Sequence, residues 1–281
     1  MDNNSPIIIL GAPRSGTTYI GNLLSKHSEL FYAEEYRFTW LFGNELKSDI
    51  LSPIHARENV KTYIKDKFEE LTKSNGKNRL LEKTPSNALR PFFVHEIYPN
   101  AKFIYIHRDP SECILSIRDL WLKKADGLSN VTKHNYYRRW KDLNPKQYLY
   151  MMPEVIRRIL PKFGSSKINN LWGPRIPGMK QMLEKVGLLE TCCMQWDFCS
   201  RELEHFYTKL GPKKVLKIKL EDLNEESLKN ICKFCDIDVE ELIEIFKATY
   251  KVNPSGARLQ KISVEEREII KKWCTANKII S

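Results

Sequence analysis

Gly11 and Gly16, with four residues between them in Gly11-Ala-Pro-Arg-Ser-Gly-Thr-Thr18, have the spacing of a loop that wraps a phosphate. The short apolar run Pro6 to Leu10 leads into this loop and reads as a buried strand. After it, Tyr19, Ile20, Leu23 and Leu24 recur at helical spacing within Thr17 to Lys26. A strand, a glycine turn and a helix start together aim backbone N–H groups at an anion, and the helix dipole adds to the field. The amides of Ser15, Gly16, Thr17 and Thr18 are expected to converge there. In the pattern G-x-x-x-x-G-K-[ST] the lysine reaches the outer phosphates of a nucleotide; here Thr17 takes its place and Thr18 fills the last position. Arg14, inside the loop, supplies a cation from another direction. The loop is read as a holder of a 5′-phosphate group, unlike that of an ATPase or GTPase. The alternative is a bare strand-to-helix turn.

A second cationic position follows the strand Lys102-Phe-Ile-Tyr-Ile-His107. Arg108 lies at its carboxyl end, the edge where α/β folds bind ligands. A guanidinium there can fork onto a phosphate or pair with Asp109 or Glu82. Pro110 suits the first turn of a following helix. Ser116, eight residues after Arg108, is about two turns into it and can add a hydroxyl donor.

These stretches resemble the sulfotransferases that use 3′-phosphoadenosine 5′-phosphosulfate (PAPS). Pro13-Arg-Ser-Gly-Thr-Thr18 is similar to their 5′-phosphosulfate loop. Glu82-Lys-Thr-Pro85 is similar to their second strand-and-loop motif, and Arg108 to Ser116 to their 3′-phosphate motif. One motif for each end of an adenosine 3′,5′-bisphosphate is far more specific than the glycine loop alone. The resemblance is strong from Ile7 to Trp121 and weaker from Val215 onward, where Asn253-Pro-Ser-Gly-Ala-Arg258 resembles the late loop that closes on the nucleotide. It implies that Arg14, Ser15, Gly16, Thr17, Thr18, Arg108, Ser116 and Arg258 bind PAPS. Arg14 and Lys83 would stabilise the leaving 5′-phosphate, and no metal would be needed.

The reaction also needs a base. Ala33-Glu-Glu-Tyr-Arg37 resembles the Gly-Glu-Glu-Thr-Arg segment of protein-tyrosine sulfotransferases, the branch with a glutamate base that related bacterial sulfotransferases share. By that match Glu35 is the base and Glu34 the runner-up. Ala33 and Tyr36 depart from the motif. Arg37 would bind acceptor or cofactor oxygens, or pair with a glutamate. The histidines have no motif, and structural roles are expected for them. Cys232 and Cys235 form a C-x-x-C, but with Leu228 and Ile231 they recur at helical spacing, so a core helix face is expected there.

The positioning elements follow the same periodicities. Helices are expected over His55 to Lys73, Leu223 to Cys235 and Ser263 to Thr275, the last with a Ser263/Glu266 capping box. Arg79 to Glu82 and Val215 to Leu220 read as further strands. Strands alternating with helices predict an α/β fold with a mostly parallel sheet flanked by helices, like a P-loop NTPase. Residues 122–213 would form a largely helical, acceptor-binding insertion over the active site, within a single domain spanning 1–281. Trp140 and Trp172 would line the acceptor pocket there, or pack in the core.

The chain has 281 residues, 42% hydrophobic and 29% charged, an ordinary globular composition. No stretch approaches the apolar length of a membrane span, and no secretory leader is visible. The seven cysteines, an odd number, suit reduced thiols and a cytoplasmic setting. The net charge of +11 is uneven: residues 133–180 hold eleven Lys or Arg against two acidic residues, with seven aromatics interleaved. That stretch suits a nucleic-acid surface, a lid over an anionic ligand, or a solvated face. The overall reading is transfer of a sulfuryl group from PAPS to a hydroxyl or amine of a small molecule, releasing adenosine 3′,5′-bisphosphate, with no nucleic-acid partner. The alternatives are a P-loop kinase, which Thr17 disfavours, and a basic nucleic-acid-binding protein.

Overall fold

The computed structural model describes residues 5–45, 48–125, 173–250 and 258–276. Five parallel strands form one sheet in the order β2-β3-β1-β4-β5, with β1 Ile7–Leu10, β2 Leu30–Glu34, β3 Arg79–Lys83, β4 Lys102–His107 and β5 Val215–Lys219. Because β1 is central, the chain leaves it toward β2 on one side and later crosses to β4 on the other. This is the switch point at which such sheets open a crevice beyond their carboxyl ends.

Alternation along the strands sorts the core into two faces. Ile7 and Ile9 join Ile104 and Ile106 beneath α1 (Thr17–Leu24), α8 (Glu225–Cys235) and α9 (Glu240–Thr249). Ile8 and Leu10 join Phe103 and Tyr105 on the opposite face, against α3 (Glu58–Ser74), α4 (Pro91–Ile97) and α5 (Pro110–Ala125). Strands buried on both faces are why β1 and β4 read as continuous apolar runs. On α3, Val60, Ile64 and Phe68 are buried at helical spacing, each worth roughly 1.5–3 kcal/mol of transfer free energy. Asn75 closes this helix and Gly76 follows at φ 66°.

The strands expected over 6–10, 79–82, 102–107 and 215–220 form as β1, β3, β4 and β5, with ends shifted by at most one residue, as does the Ser263/Glu266 box at the head of α10 (Val264–Ala276). Three elements carried no clear sequence expectation. These are β2, the short α2 (Arg37–Trp40) and α9. Within 122–213, the described residues form α6 (Met179–Val186) and α7 (Leu188–Leu210). α7 is no detached cap: Cys192, Cys193, Trp196, Cys199, Leu203 and Phe206 are buried, and the helix packs on β4, β5, α4, α5 and α10. Its stripe recurs at helical spacing but is interrupted by Gln195 and Asp197, which hides it from a simple apolar count. Cys232 and Cys235 lie in the core face of α8, as their spacing predicts.

Candidate functional site

All four segments with chemical character end at one edge of the sheet. They follow the carboxyl ends of β1, β2, β3 and β4.

The β1–α1 loop has a shape only glycine allows at two points. A Cβ on Gly11 would lie 2.7 Å from the Ile106 carbonyl oxygen, and one on Gly16, at φ 98°, would lie 2.7 Å from Leu220. The first helix bond runs from the Tyr19 amide to the Gly16 carbonyl at 3.0 Å, leaving the amides just ahead of it to face outward. The expectation for Ser15 needs correction, because its amide donates to the Ala12 carbonyl at 3.1 Å. What Ser15 offers is its hydroxyl: Oγ is buried and has no partner among the described residues. An orphaned buried hydroxyl in a glycine cradle is what a phosphate oxygen would satisfy. Thr17 is buried and Thr18 exposed at the head of the helix.

Arg14, at φ 70°, turns back across the crevice, and its Nε donates to Ser116 Oγ at 2.9 Å. Motifs 102 residues apart therefore meet directly. Burial, then the nearby Arg258 and Arg108 guanidinium groups, lower the Arg14 pKa. Arg108 and Arg258 are thus near enough for Arg14 to feel their charge. Their counter-charges are local carboxylates. Arg108 lies 3.4 Å from Glu112 and 3.7 Å from Glu221, rather than pairing with Asp109 or Glu82. Asp109 instead caps α5, accepting from the Glu112 amide at 3.1 Å and from the Ser111 hydroxyl. Arg258 reaches the same Glu112, from its amide at 2.9 Å and from Nε at 3.2 Å, and also pairs with Asp119. Glu112 stands four residues after Arg108 on a helix, so the i,i+4 rule could have found it; no local signal marks Asp119 as a partner of Arg258.

At the other end of the crevice Glu34 and Lys83 sit opposite each other in the β2–β3 register. The buried Lys83 Nζ lies 3.0 Å from Glu34 and 3.5 Å from Glu35. Both carboxylates keep about a third of their side-chain surface exposed, at 30% and 31%. Glu35 adopts φ 60° and ties its amide to the Lys83 carbonyl at 2.8 Å. Among the described residues only Arg14, Glu35 and Asp236 have positive φ without being glycine, and two of these three lie here. Backbone strain of this kind gathers at functional sites.

Beneath the pair is a buried polar network centred on Glu82 of the Glu82–Pro85 motif, to which Trp40 and Asn87 bring contacts that no sequence signal marked. Glu82 accepts from Trp40 Nε1 at 2.9 Å, Thr84 Oγ1 at 2.5 Å and Asn87 Nδ2 at 3.1 Å. Burial nonetheless raises its pKa to about 7. Arg37, expected at a ligand or a glutamate, instead forks onto Asp49 at 2.9 and 3.0 Å. Trp140 and Trp172 lie outside the described residues. The histidines keep to other work: the His107 ring lies 5.9 Å from Tyr105, and burial followed by Lys217 lowers its pKa to about 4. His95 meets the Phe103 and Phe206 rings, His205 meets Phe92, and His27 accepts from the Glu29 amide. Among the described residues no group of three or more His, Cys, Asp or Glu is placed to hold a metal ion, and no helix is long and apolar enough to cross a membrane.

Known proteins resemble this chain in sequence or in fold. A nodulation protein, NoeE of Sinorhizobium fredii, is 25% identical over 132 residues, which are 40% of this chain and 31% of that protein. The match thus spans about a third of that relative's length. Among solved structures, a sulfotransferase from Alicyclobacillus acidocaldarius superposes with a TM-score of 0.53 at 15% identity, covering 97% of this chain and 92% of that one. The sulfotransferase domain from the curacin biosynthetic pathway gives 0.51 at 18% identity, covering 96% and 97%. Mouse sulfotransferase SULT7A1, solved in complex with PAP, gives 0.50 at 13% identity, covering 97% and 84%. These likenesses concern the fold. Residues 6–162, over half of the sequence and including the glycine loop, the Glu34–Glu35 turn, Lys83 and Arg108, match the sequence model of the sulfotransferase family, and the chain belongs to that family.

Proposed function

We propose that the protein transfers a sulfuryl group from PAPS to a hydroxyl or amine of a small-molecule acceptor, in the cytoplasm and without a metal. The observation that carries this reading is the Arg14–Ser116 contact, with Arg108 and Arg258 held together on Glu112 near Arg14, beside a glycine cradle with an orphaned serine hydroxyl. A single phosphate loop suits many nucleotides. A second cationic pocket, joined to the first through Arg14, suits a ligand with phosphates at both ends of its ribose.

The donor supplies an activated sulfuryl group joined through oxygen to its 5′-phosphate. Sulfuryl transfer, like phosphoryl transfer, passes through a loose transition state, so positioning and charge stabilisation carry most of the catalysis. Gly16, Thr17, Thr18 and the Ser15 hydroxyl hold the 5′-phosphate. Arg108 and Ser116 hold the 3′-phosphate, and Arg258 closes over it, anchored on Glu112. Lys83 and Arg14 neutralise the charge that builds on the leaving oxygen. Glu35 takes the acceptor's proton as the new bond to sulfur forms. Lys83 lies closer to Glu34, which favours Glu34 as its permanent counter-ion and leaves Glu35 to act as base.

Calorimetric titration with adenosine 3′,5′-bisphosphate, with ATP and AMP as controls, tests the reading. Micromolar binding of the bisphosphate, lost in Arg108→Ala and unmatched by ATP, supports it. Preference for ATP would overturn it in favour of a kinase.

A further inference from the structure

Asp49 has no place in the chemistry just described, yet its side chain is fully buried and both of its oxygens are engaged. Oδ1 accepts from Arg37 Nε at 2.9 Å and faces the Arg90 guanidinium at 3.6 Å. Oδ2 accepts from the second arm of Arg37 at 3.0 Å and from the Arg175 backbone amide at 2.7 Å. Burial alone would favour the protonated acid, but Arg37 and Arg90 outweigh it and hold the pKa below the usual carboxylate value.

Three separate segments end on this one carboxylate. Arg37 follows the Glu34–Glu35 turn, and its amide donates to the Glu35 carbonyl at 2.8 Å. Arg90 closes the segment after Lys83, binding Asn87 Oδ1 at 2.8 Å and Ser86 Oγ at 3.0 Å; Asn87 in turn holds Glu82, next to Lys83. Arg175 belongs to the stretch that leads into α6, where Gln195 of α7 also grips the Pro174 carbonyl at 3.1 Å. A buried carboxylate that forks onto one guanidinium while taking an amide from elsewhere fixes angles as well as distances.

We propose that Asp49 is a positioning residue for sulfuryl transfer: it locks the Glu34–Glu35 turn, the Lys83 segment and the 173–176 stretch in one register, so that the catalytic carboxylate and Lys83 share a fixed geometry. The proposal rests on the sulfotransferase reading for its catalytic part. Its structural part stands independently, because without Asp49 the buried Arg90, the half-buried Arg37 and an amide lose their common partner.

The test compares wild type, Asp49→Asn, Arg37→Gln and the double variant. Turnover is followed as release of adenosine 3′,5′-bisphosphate from PAPS in water, and amide exchange is measured in parallel. Asp49→Asn is expected to lower kcat at least about tenfold, with KM for PAPS and the bisphosphate Kd within about twofold. Exchange should accelerate at residues 34–37 and at Arg175 but not along β5. The double variant should be no slower than the worse single one, since both act on one contact. A folded Asp49→Asn protein with wild-type kcat, or with unchanged exchange at those amides, overturns the proposal. If Asp49→Asn does not fold, Arg37→Gln decides by the same readings. If wild type neither releases bisphosphate nor binds it by calorimetry in preference to ATP, the sulfotransferase reading fails, and the exchange data still decide whether Asp49 holds the three segments together.

Discussion

The two ends of the crevice are built on different electrostatic plans. At the β1–β4 end three guanidiniums crowd together and lean on Glu112, Asp119 and Glu221. At the β2–β3 end two carboxylates share one buried lysine. Under the proposed function the first plan suits holding a polyanion: three guanidiniums, matched by three carboxylates, offer several N–H donors to phosphate oxygens. The second suits proton transfer: negative charge is in excess, and Lys83 holds it in place. Arg14 belongs to the first end through Ser116, although the loop that carries it faces both. One end therefore should govern affinity and the other rate, and substitutions should separate along that line.

The sharpest test is Glu35→Gln. It is expected to lower kcat about a hundredfold or more with bisphosphate affinity nearly unchanged. Glu34→Gln should cost less, within about tenfold; a larger loss there than at Glu35 would exchange the roles of the pair. At the other end Arg108→Ala should weaken bisphosphate binding by about 10- to 100-fold, the scale of one or two charge-assisted hydrogen bonds, while ATP binding changes little. Equal weakening for both ligands would deny Arg108 a specific 3′-phosphate contact. Gly16→Ala combines a strained φ of 98° with a clash on Leu220, and should reduce affinity about tenfold with a lowered Tm.

The smallest effect concerns neither plan. The depressed His107 pKa means that the fold prefers the neutral ring, while the unfolded chain takes up its proton below about 6.5. The stability tied to this ring is whole above that pH and is lost as the pH falls toward about 4. In His107→Gln the fall in Tm between pH 7 and pH 4 should be shallower than in wild type. A ring that titrates near 6.5 by NMR would contradict this.

Much of the architecture was legible because burial on both faces leaves plain marks. β1 and β4 are unbroken apolar runs, and the Ser263/Glu266 box sits at a helix start. β2 was not legible. Leu30-Phe-Tyr-Ala-Glu34 is short and ends in a carboxylate, so no strand was expected there. α7 was hidden by polar residues that lie inside its buried stripe, and Gln195 is bonded to a carbonyl from another segment.

The same division runs through the site. Local sequence by itself determined which groups exist and on which turns they stand, because the glycine loop, the strand-end arginine and the paired glutamates depend only on near neighbours along the chain. Tertiary structure decided their partners. That Arg14 would reach Ser116, that Glu112 would serve both Arg108 and Arg258, and that Arg37 would turn to Asp49 all follow from where the sheet brings distant segments together. A charged side chain taken out of water must find an opposite charge or a hydrogen-bond partner, and which one it finds is set by packing rather than by position along the chain.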